Sequence, residues 1–300
     1  MGLDLNQLHT FFVLARTLSF TEAARKLYVT QPAVSHALKK LEAGLNDKLL
    51  VRRGHRLALT DSGSLLYKAC EDVFYRLERT EESIRSRKGD FLGSVRLGAT
   101  VEFGNSVLVK NIKDFMAGHE NIHVDFLFHN DLMPLLLNDE LDMIVDCRDC
   151  ADPQLDKRLL FQEKYVVVGA PGYVRRKKIR GPKDLESCAV LSFDKNGAWW
   201  NKFLQAVREK DRPDLSALIE INHIRGMINA AKEGIGIGLV PRYCVSRELA
   251  RRELQDVFPK ISLLEDHFFI YQKKKKADLE KHATLVAYLM GIKPVEFGAA

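Results

Sequence analysis

The 300 residues predict an α/β protein headed by a small all-α module, and three changes of pattern carry that prediction. Residues 5–45 place their apolar side chains at helical spacing, in stripes that leave one side polar. Residues 49–60 switch to alternation around a glycine, the mark of a small β-hairpin. From about residue 91, short apolar runs with strand periodicity alternate with helical segments to the end of the chain. The predicted division is residues 1–60, a helix over about 61–90, and an α/β region over 91–300.

Leu5, Leu8, Phe11, Phe12, Ala15 and Leu18 recur at helical spacing and predict a first helix packed across the next two. Residues 19–45, SFTEAARKLYVTQPAVSHALKKLEAGL, read as two short helices joined by a tight turn. Phe20, Ala23, Ala24 and Leu27 form the stripe of the first. After a break at Val29-Thr30, Thr30 supplies a hydroxyl N-cap and Pro32 sits in the first turn, where a missing N–H costs nothing. Ala33, Val34, Ala37, Leu38 and Leu41 continue the buried side, leaving Gln31, Ser35, His36, Lys39 and Lys40 opposite. This arrangement suits a helix-turn-helix whose second helix enters the major groove by its N-terminal end. A helical hairpin with a solvated face is the competing reading.

Charge location favours the first. Residues 1–60 hold 9 Lys/Arg against 4 Asp/Glu, residues 61–90 hold 6 against 7, and the remaining 210 hold 31 against 29. Most of the net charge of +6 therefore lies in the first fifth of the chain, as a polyanion-binding module requires. The hairpin LLVRRGHRLALT adds Arg52, Arg53, His55 and Arg56 at its tip, a wing that reaches phosphates or the minor groove.

Thr60-Asp61 then caps a helix over roughly 61–88. Leu66, Cys70, Val73, Leu77, Thr80 and Ile84 fall at alternating spacings of four and three, a narrow seam among charges that fits a two-stranded coiled coil. Packing of the helix on its own domain is the alternative. Cys70 reads as a small apolar filler of that seam.

Beyond residue 91, strands are expected over 94–99, 122–128, LDMIVDC, KYVVVGA, near 218–221 and at FFIYQ. Helices are expected over 107–116, 132–137, 199–208 and 278–290. Such alternation predicts parallel sheets with ligands at the carboxyl ends of strands, here as two lobes around a cleft. No apolar run approaches the roughly 18 residues of a membrane span. The N-terminus shows no basic leader pattern, and five scattered cysteines fit reduced thiols, so a cytoplasmic protein is expected.

Several local signals have plain explanations. Cys147-Arg-Asp-Cys150 resembles a redox or half-zinc motif, but it ends a buried strand, and His119 and His123 are poor completing ligands. Lysines 273–276 read as a solvated strand end. Trp199-Trp200 opens a helix with one ring in the core, the other being free for a cleft. Gly234, Gly236 and Gly238 lack phosphate-loop spacing. No nucleophile, base and orienter can be assembled into a catalytic set, so an enzyme is not expected.

The order of parts resembles the LysR-type transcriptional regulators over essentially the whole chain. The match is most specific in LNQLHTFFVLARTLSFTEAARKLYVTQPAVSHALKKLE with LTDSG, and LNDELDMIV and GIGIGLVP resemble the marks of the family's two lobes. The resemblance implies a winged helix-turn-helix over 1–60, a dimerisation helix over 61–90 with Leu66, Val73, Leu77 and Ile84 on its seam, and a periplasmic-binding-protein-like effector domain over 91–300. Lobe I would span about 91–162 and 268–300, and lobe II about 163–267. Thr30, Gln31, Pro32 and Ser35 lie where the family approaches bases and phosphates, and Lys39 and Arg52 where it neutralises backbone. His36, Arg53 and Arg56 join them as candidate DNA contacts. His55 stands where the family commonly has Arg, and Leu50 where Phe is frequent. Family ligands are touched at positions that here are Thr100, Glu102, Asn130, Asp131, Cys147, Phe193 to Trp199, His223 and Ile224. Implied partners are dyad-symmetric double-stranded DNA, a small-molecule effector, further copies of the chain and RNA polymerase; no membrane, metal or cofactor is implied. Glu102 and Asp131 argue against a simple carboxylate effector and leave an amine or amino acid open. A redox response through Cys147 and Cys150 is the alternative.

Overall fold

The computed structural model describes residues 3–53, 56–86, 93–263 and 265–293. It separates into two units, Met1–Leu92 and Gly93–Ala300. In the first, helix α1 (Leu5–Thr17) starts where the Asp4 carboxylate accepts from the Gln7 N–H at 2.9 Å. Helix α2 (Phe20–Leu27) starts at Ser19, which accepts from Glu22 N, and ends at Tyr28 in the left-handed region, φ 55°. Helix α3 (Gln31–Leu45) follows, with Thr30 as N-cap and Pro32 in its first turn. Strands β1 (Leu50–Arg53) and β2 (Arg56–Leu59) pair antiparallel as the wing. Phe11, Leu14, Ala23, Val34, Leu38, Leu41 and Leu49 fill the core. Leu5 and Leu18, expected in the first helix's stripe, are exposed: the buried stripe runs through Phe11, Leu14 and Ala15, and Leu18 lies past the helix end as its left-handed cap.

Helix α4 (Asp61–Ser86) is docked at its start. Thr60 Oγ1 donates to Lys48 O at 2.6 Å and accepts from Gly63 N at 2.9 Å. A side chain at Gly63 would place its Cβ 2.0 Å from Leu49 O, which explains the glycine of LTDSG as a close-approach site. Leu66 and Cys70 differ from expectation: they pack with Tyr67 and Phe74 against this unit's own core. The opening turns of α4 use one stripe to close the core. The apolar residues left exposed are Leu65, Val73, Leu77 and Ile84.

The second unit holds two five-stranded sheets. Lobe I has the order β4-β3-β5-β12-β6, where β3 is Gly93–Ala99, β4 Ile122–Phe128, β5 Met143–Asp146, β6 Leu155–Glu163 and β12 Asp266–Lys273. Lobe II has the order β11-β7-β10-β8-β9, where β7 is Tyr165–Gly169, β8 Val190–Ser192, β9 Leu218–Glu220, β10 Ile237–Pro241 and β11 Gln255–Asp256. The sheets are mixed, not parallel throughout as expected. In lobe I β3 runs parallel to β4 and β5 while β12 pairs antiparallel with β5 and β6; in lobe II β10 is parallel to β8 and antiparallel to β7. The reason is topological: β6 leaves one lobe and β12 returns to it, so the two run side by side in opposite directions. Strand β6 was not anticipated, because LDKRLLFQE lies at a sheet edge and keeps charged side chains in water.

Helix α5 (Val101–Phe103) passes through a π-helical turn, Gly104–Leu108, into α6 (Val109–Gly118). A Cβ on Gly104 would meet the Phe128 ring at 2.5 Å. Helix α7 (Met133–Leu137) precedes β5; α8 (Pro171–Lys177), α9 (Asn201–Ala206), α10 (Ile224–Lys232) and α11 (Ser246–Ala250) cover lobe II. Trp200 and Phe203 are fully buried in the lobe II core. Helix α12 (Glu280–Met290) returns to lobe I, where His282 is buried with neither ring nitrogen hydrogen-bonded. The lysine run is a solvated strand end only at Lys274 and Lys275, which are exposed; Lys273 is buried 2.5 Å from Asp139, and Lys276 reaches Asp139 at 3.4 Å and Asp142 at 3.0 Å. Arg96 holds Asp142 through two side-chain hydrogen bonds, at 2.7 and 2.9 Å. Sequence spacing could not show these carboxylates, which arrive from the α7–β5 segment.

Candidate functional sites

In the first unit α3 exposes residues along its whole length, including the candidate DNA contacts. Gln31, Pro32, His36 and Lys39 are exposed, Ser35 is half-buried, and Ala33, expected on the buried side, is exposed as well. The Thr30 side chain accepts from Ala33 N at 3.4 Å, so its cap role is in place. On the wing, Arg52 and Arg56 are exposed and Arg53 stands opposite Arg56 in register. The Arg53 side chain and His55 lie outside the described residues. Sequence reasoning passed over Tyr28, which is 96% exposed in the turn before α3. Its signal was an aromatic residue with no place in either apolar stripe.

In the second unit a cavity of about 240 Å³ opens between the lobes. Eight of the nine expected positions line it: Thr100, Glu102, Asn130, Cys147, Phe193, Trp199, His223 and Ile224. Asp131 does not; it is exposed, with its carboxylate 3.0 Å from an Arg148 nitrogen. Lining residues that the sequence did not disclose include Asp146, Arg148, Glu163, Tyr165, Asp266 and Phe268. Most come from the ends of β5, β6, β7 and β12, the last three flanking the crossings between lobes. A register irregularity between Phe268 and Phe269 in the β12–β6 ladder sits beside the cavity and re-aims the strand.

Local contacts fix the walls. Asp194 accepts from Ala198 N and Trp199 N at 2.8 and 2.7 Å, and Trp199 Nε1 donates to Leu239 O at 2.7 Å. The indole is thereby held beside Phe193 and Tyr165, with centroids at 5.3 and 5.6 Å. Glu102 Oε1 accepts from Arg225 N at 3.1 Å across the lobes, and His223 Nδ1 lies 3.7 Å from it. The Arg225 guanidinium donates to Glu248 and to Cys244 O, each at 3.0 Å. Glu102 Oε2 and Thr100 Oγ1 are buried with no hydrogen-bond partner.

The crossing strands carry the strongest electrostatic perturbations of the cleft. Tyr165 OH lies 2.5 Å from Glu163 Oε2 and 3.0 Å from Asp266 Oδ2, and Lys202 Nζ lies 2.6 Å from Asp266. Burial raises the Glu163 carboxyl to about 7, with the Tyr165 hydrogen bond opposing and Asp266 adding to the rise. Burial, followed by the charges of Glu163, Asp146 and Asp266, pushes the Cys147 thiol up to about 12. A redox cysteine needs the reverse, a stabilised thiolate. Among the described residues no group of His, Cys, Asp and Glu is arranged to hold a metal ion, and no helix is long and apolar enough to cross a membrane.

Comparison with known proteins assigns both units. Residues 5–64 match the bacterial regulatory helix-turn-helix family of the LysR type, and residues 88–290 match the LysR substrate-binding domain. The transcriptional activator AmpR of Pseudomonas aeruginosa is 30% identical over 256 residues, covering 85% of this chain and 84% of that protein. The glycine cleavage system transcriptional activator of Escherichia coli is 26% identical over 292 residues, covering 95% and 92%. The crystal structure of ArgP from Mycobacterium tuberculosis shares the fold, with a TM-score of 0.69 over 99% of this chain and 98% of that one at 19% identity. With a capped, polar-faced helix-turn-helix in one unit and a two-lobed, cleft-bearing fold in the other, the chain belongs to the LysR-type transcriptional regulators: it is a DNA-binding regulator with an effector-binding domain.

Proposed function

We propose that this regulator recognises a dyad-symmetric promoter site through α3 and the wing, as a dimer or dimer of dimers joined through α4, and that a small molecule in the interlobe cleft sets its output. Gln31, Ser35 and His36 meet base edges; Lys39, Arg52, Arg53 and Arg56 meet phosphates, with Thr30 and Pro32 shaping the helix start. The supporting observation is the division of α3: Val34, Leu38 and Leu41 are sealed in the core while Gln31, His36 and Lys39 stand in solvent and Ser35 is half-buried between them. Exposed Val73, Leu77 and Ile84 supply the seam between copies, starting beyond the turns that Leu66 and Cys70 commit to the core. The setting is the cytoplasm, and the target of regulation is RNA polymerase at the bound promoter.

Selection of binding sites from a randomised duplex library tests the reading. The expected result is a sequence with two half-sites about 10 base pairs, or a multiple of that, apart. Recovery of unrelated sequences at low salt, with no common motif, would refute it.

A further inference from the structure

The geometry points to a cationic effector: a primary amine, amidine or guanidine on an apolar body, its positive head received by Glu102 and the Glu163–Asp266 pair. This rests on the cleft being the effector site and goes further by fixing the ligand's charge.

The lining contains four carboxylates, Glu102, Asp146, Glu163 and Asp266, drawn from both ends of the cavity. The neighbouring cations already have partners. Arg148 spans Asp146 and Asp131, Lys202 sits on Asp266, and Arg225 is held by Glu248 and Cys244 O. The gap is local to Glu102. Glu102 is only 8% exposed, yet its Oε2 accepts no hydrogen bond, and the nearest positive atom, Arg225 Nη2, stands 4.0 Å away. Thr100 Oγ1, at the same end, is also without a partner.

A second acidic group lies on the crossing strands, where Glu163 and Asp266 face the same Tyr165 hydroxyl, which can donate to only one of them at a time; Tyr243 also bonds Glu163, and Lys202 bonds Asp266. Buried acceptors without donors are costly, and a buried carboxylate is retained only when a charge or hydrogen bonds compensate it. An ammonium or guanidinium brings several donors with its charge and supplies the partner that Glu102 Oε2 lacks; a carboxylate ligand would add a further acidic group and more acceptors. In the same lining, Phe193, Trp199, Ile224 and Phe268 offer apolar surface for the ligand's body.

The test uses the full-length protein and Trp199 fluorescence, backed by calorimetry, with probes sharing a phenyl body: phenethylamine, 3-phenylpropanamide and 3-phenylpropionate, with agmatine as a guanidinium probe. The expected result is that a cationic probe binds and the amide and carboxylate bind roughly tenfold or more weakly, the value of a charged hydrogen bond. Glu102→Gln and Glu163→Gln, which keep shape and remove charge, should each weaken the cation by roughly tenfold or more while sparing the amide. Preference for 3-phenylpropionate, or cation binding unchanged in both variants, overturns the charge assignment and leaves the cleft reading standing. Binding that survives Ile224→Trp, which fills the cavity, overturns the cleft reading as well. Failure of both cationic probes to bind at millimolar concentration overturns the charge assignment.

Discussion

His282 makes an acid-sensitive point in lobe I that can be measured directly. The ring is 1% exposed, with both nitrogens unpartnered. Burial lowers its pKa from 6.5 to about 3; Asp142 opposes this, and Lys276, Lys281 and Arg96 reinforce it. The sign follows from linkage. As pH falls below 6.5 the unfolded chain takes up a proton that the folded chain refuses, so stability is lost progressively until pH reaches about 3. For one such site the loss between pH 8 and pH 5 is about 2 kcal/mol. In a unit of this size that corresponds to roughly 4–8 °C in the unfolding midpoint. His282→Leu removes the titration and replaces two unsatisfied nitrogens with an apolar side chain, so at pH 8 it should be neutral or stabilising. Glu163 titrates in the opposite sense in this range, its raised pKa giving stability that is lost as pH rises through about 7. Both proteins share that effect, so it cancels in the comparison. Calorimetric or fluorescence melting of wild type and variant at pH 8 and pH 5 is the assay. Equal falls in midpoint for the two proteins would refute the account of His282.

Gly63→Ala should destabilise the first unit by about 1–3 kcal/mol or more, because the added Cβ meets Leu49 O at 2.0 Å; an unchanged melting curve would deny the close docking of α4. Gln31→Ala and Ser35→Ala should reduce discrimination between sequences more than non-specific affinity, measured by competition footprinting. Lys39→Ala or Arg52→Ala should lower the salt dependence of binding by about one unit of slope each, with little change in sequence preference. Val73→Lys with Leu77→Lys should shift the protein toward monomer in sedimentation, whereas a side chain already buried in its own unit would give a folding defect instead. Cys147 should react slowly with iodoacetamide at pH 8, and Cys147→Ser with Cys150→Ser should leave any oxidant response of a reporter unchanged, since burial and three nearby carboxylates oppose the thiolate.

The N-terminal unit was the more legible part of the sequence because its structure is local. The cap at Thr30, Pro32 in a first turn and stripes at helical spacing each act within a few residues, and each has its counterpart in α2 and α3; the Ser19 cap of α2 is equally local but was not read. Where α4 divides its apolar residues between core and solvent could not be read, since Leu66 and Leu65 differ in fate only through packing on Phe11 and its neighbours. In the effector unit, strands with buried centres were visible, but β6 was hidden by its charged edge. Eight cleft positions followed from family resemblance. Glu163, Tyr165 and Asp266 did not, because what makes them notable is the meeting of strands about 100 residues apart in sequence. The lysines after β12 show the same limit from the other side: a basic run looks solvated until distant aspartates are placed against it.

Between β6 and β7 the chain passes from one sheet to the other through a single residue, Lys164, while the return path spans residues 257–265. So short a joint restricts how the lobes can separate at this point. Glu163 and Tyr165 flank it, and Asp266 and Phe268 open the returning strand. Rocking of the lobes about this point would hardly disturb that group, yet would carry Thr100 and Trp199, mounted on opposite sheets, toward or away from each other. The crossing-strand group would thus stay in place while Glu102, next to Thr100, moved with its lobe.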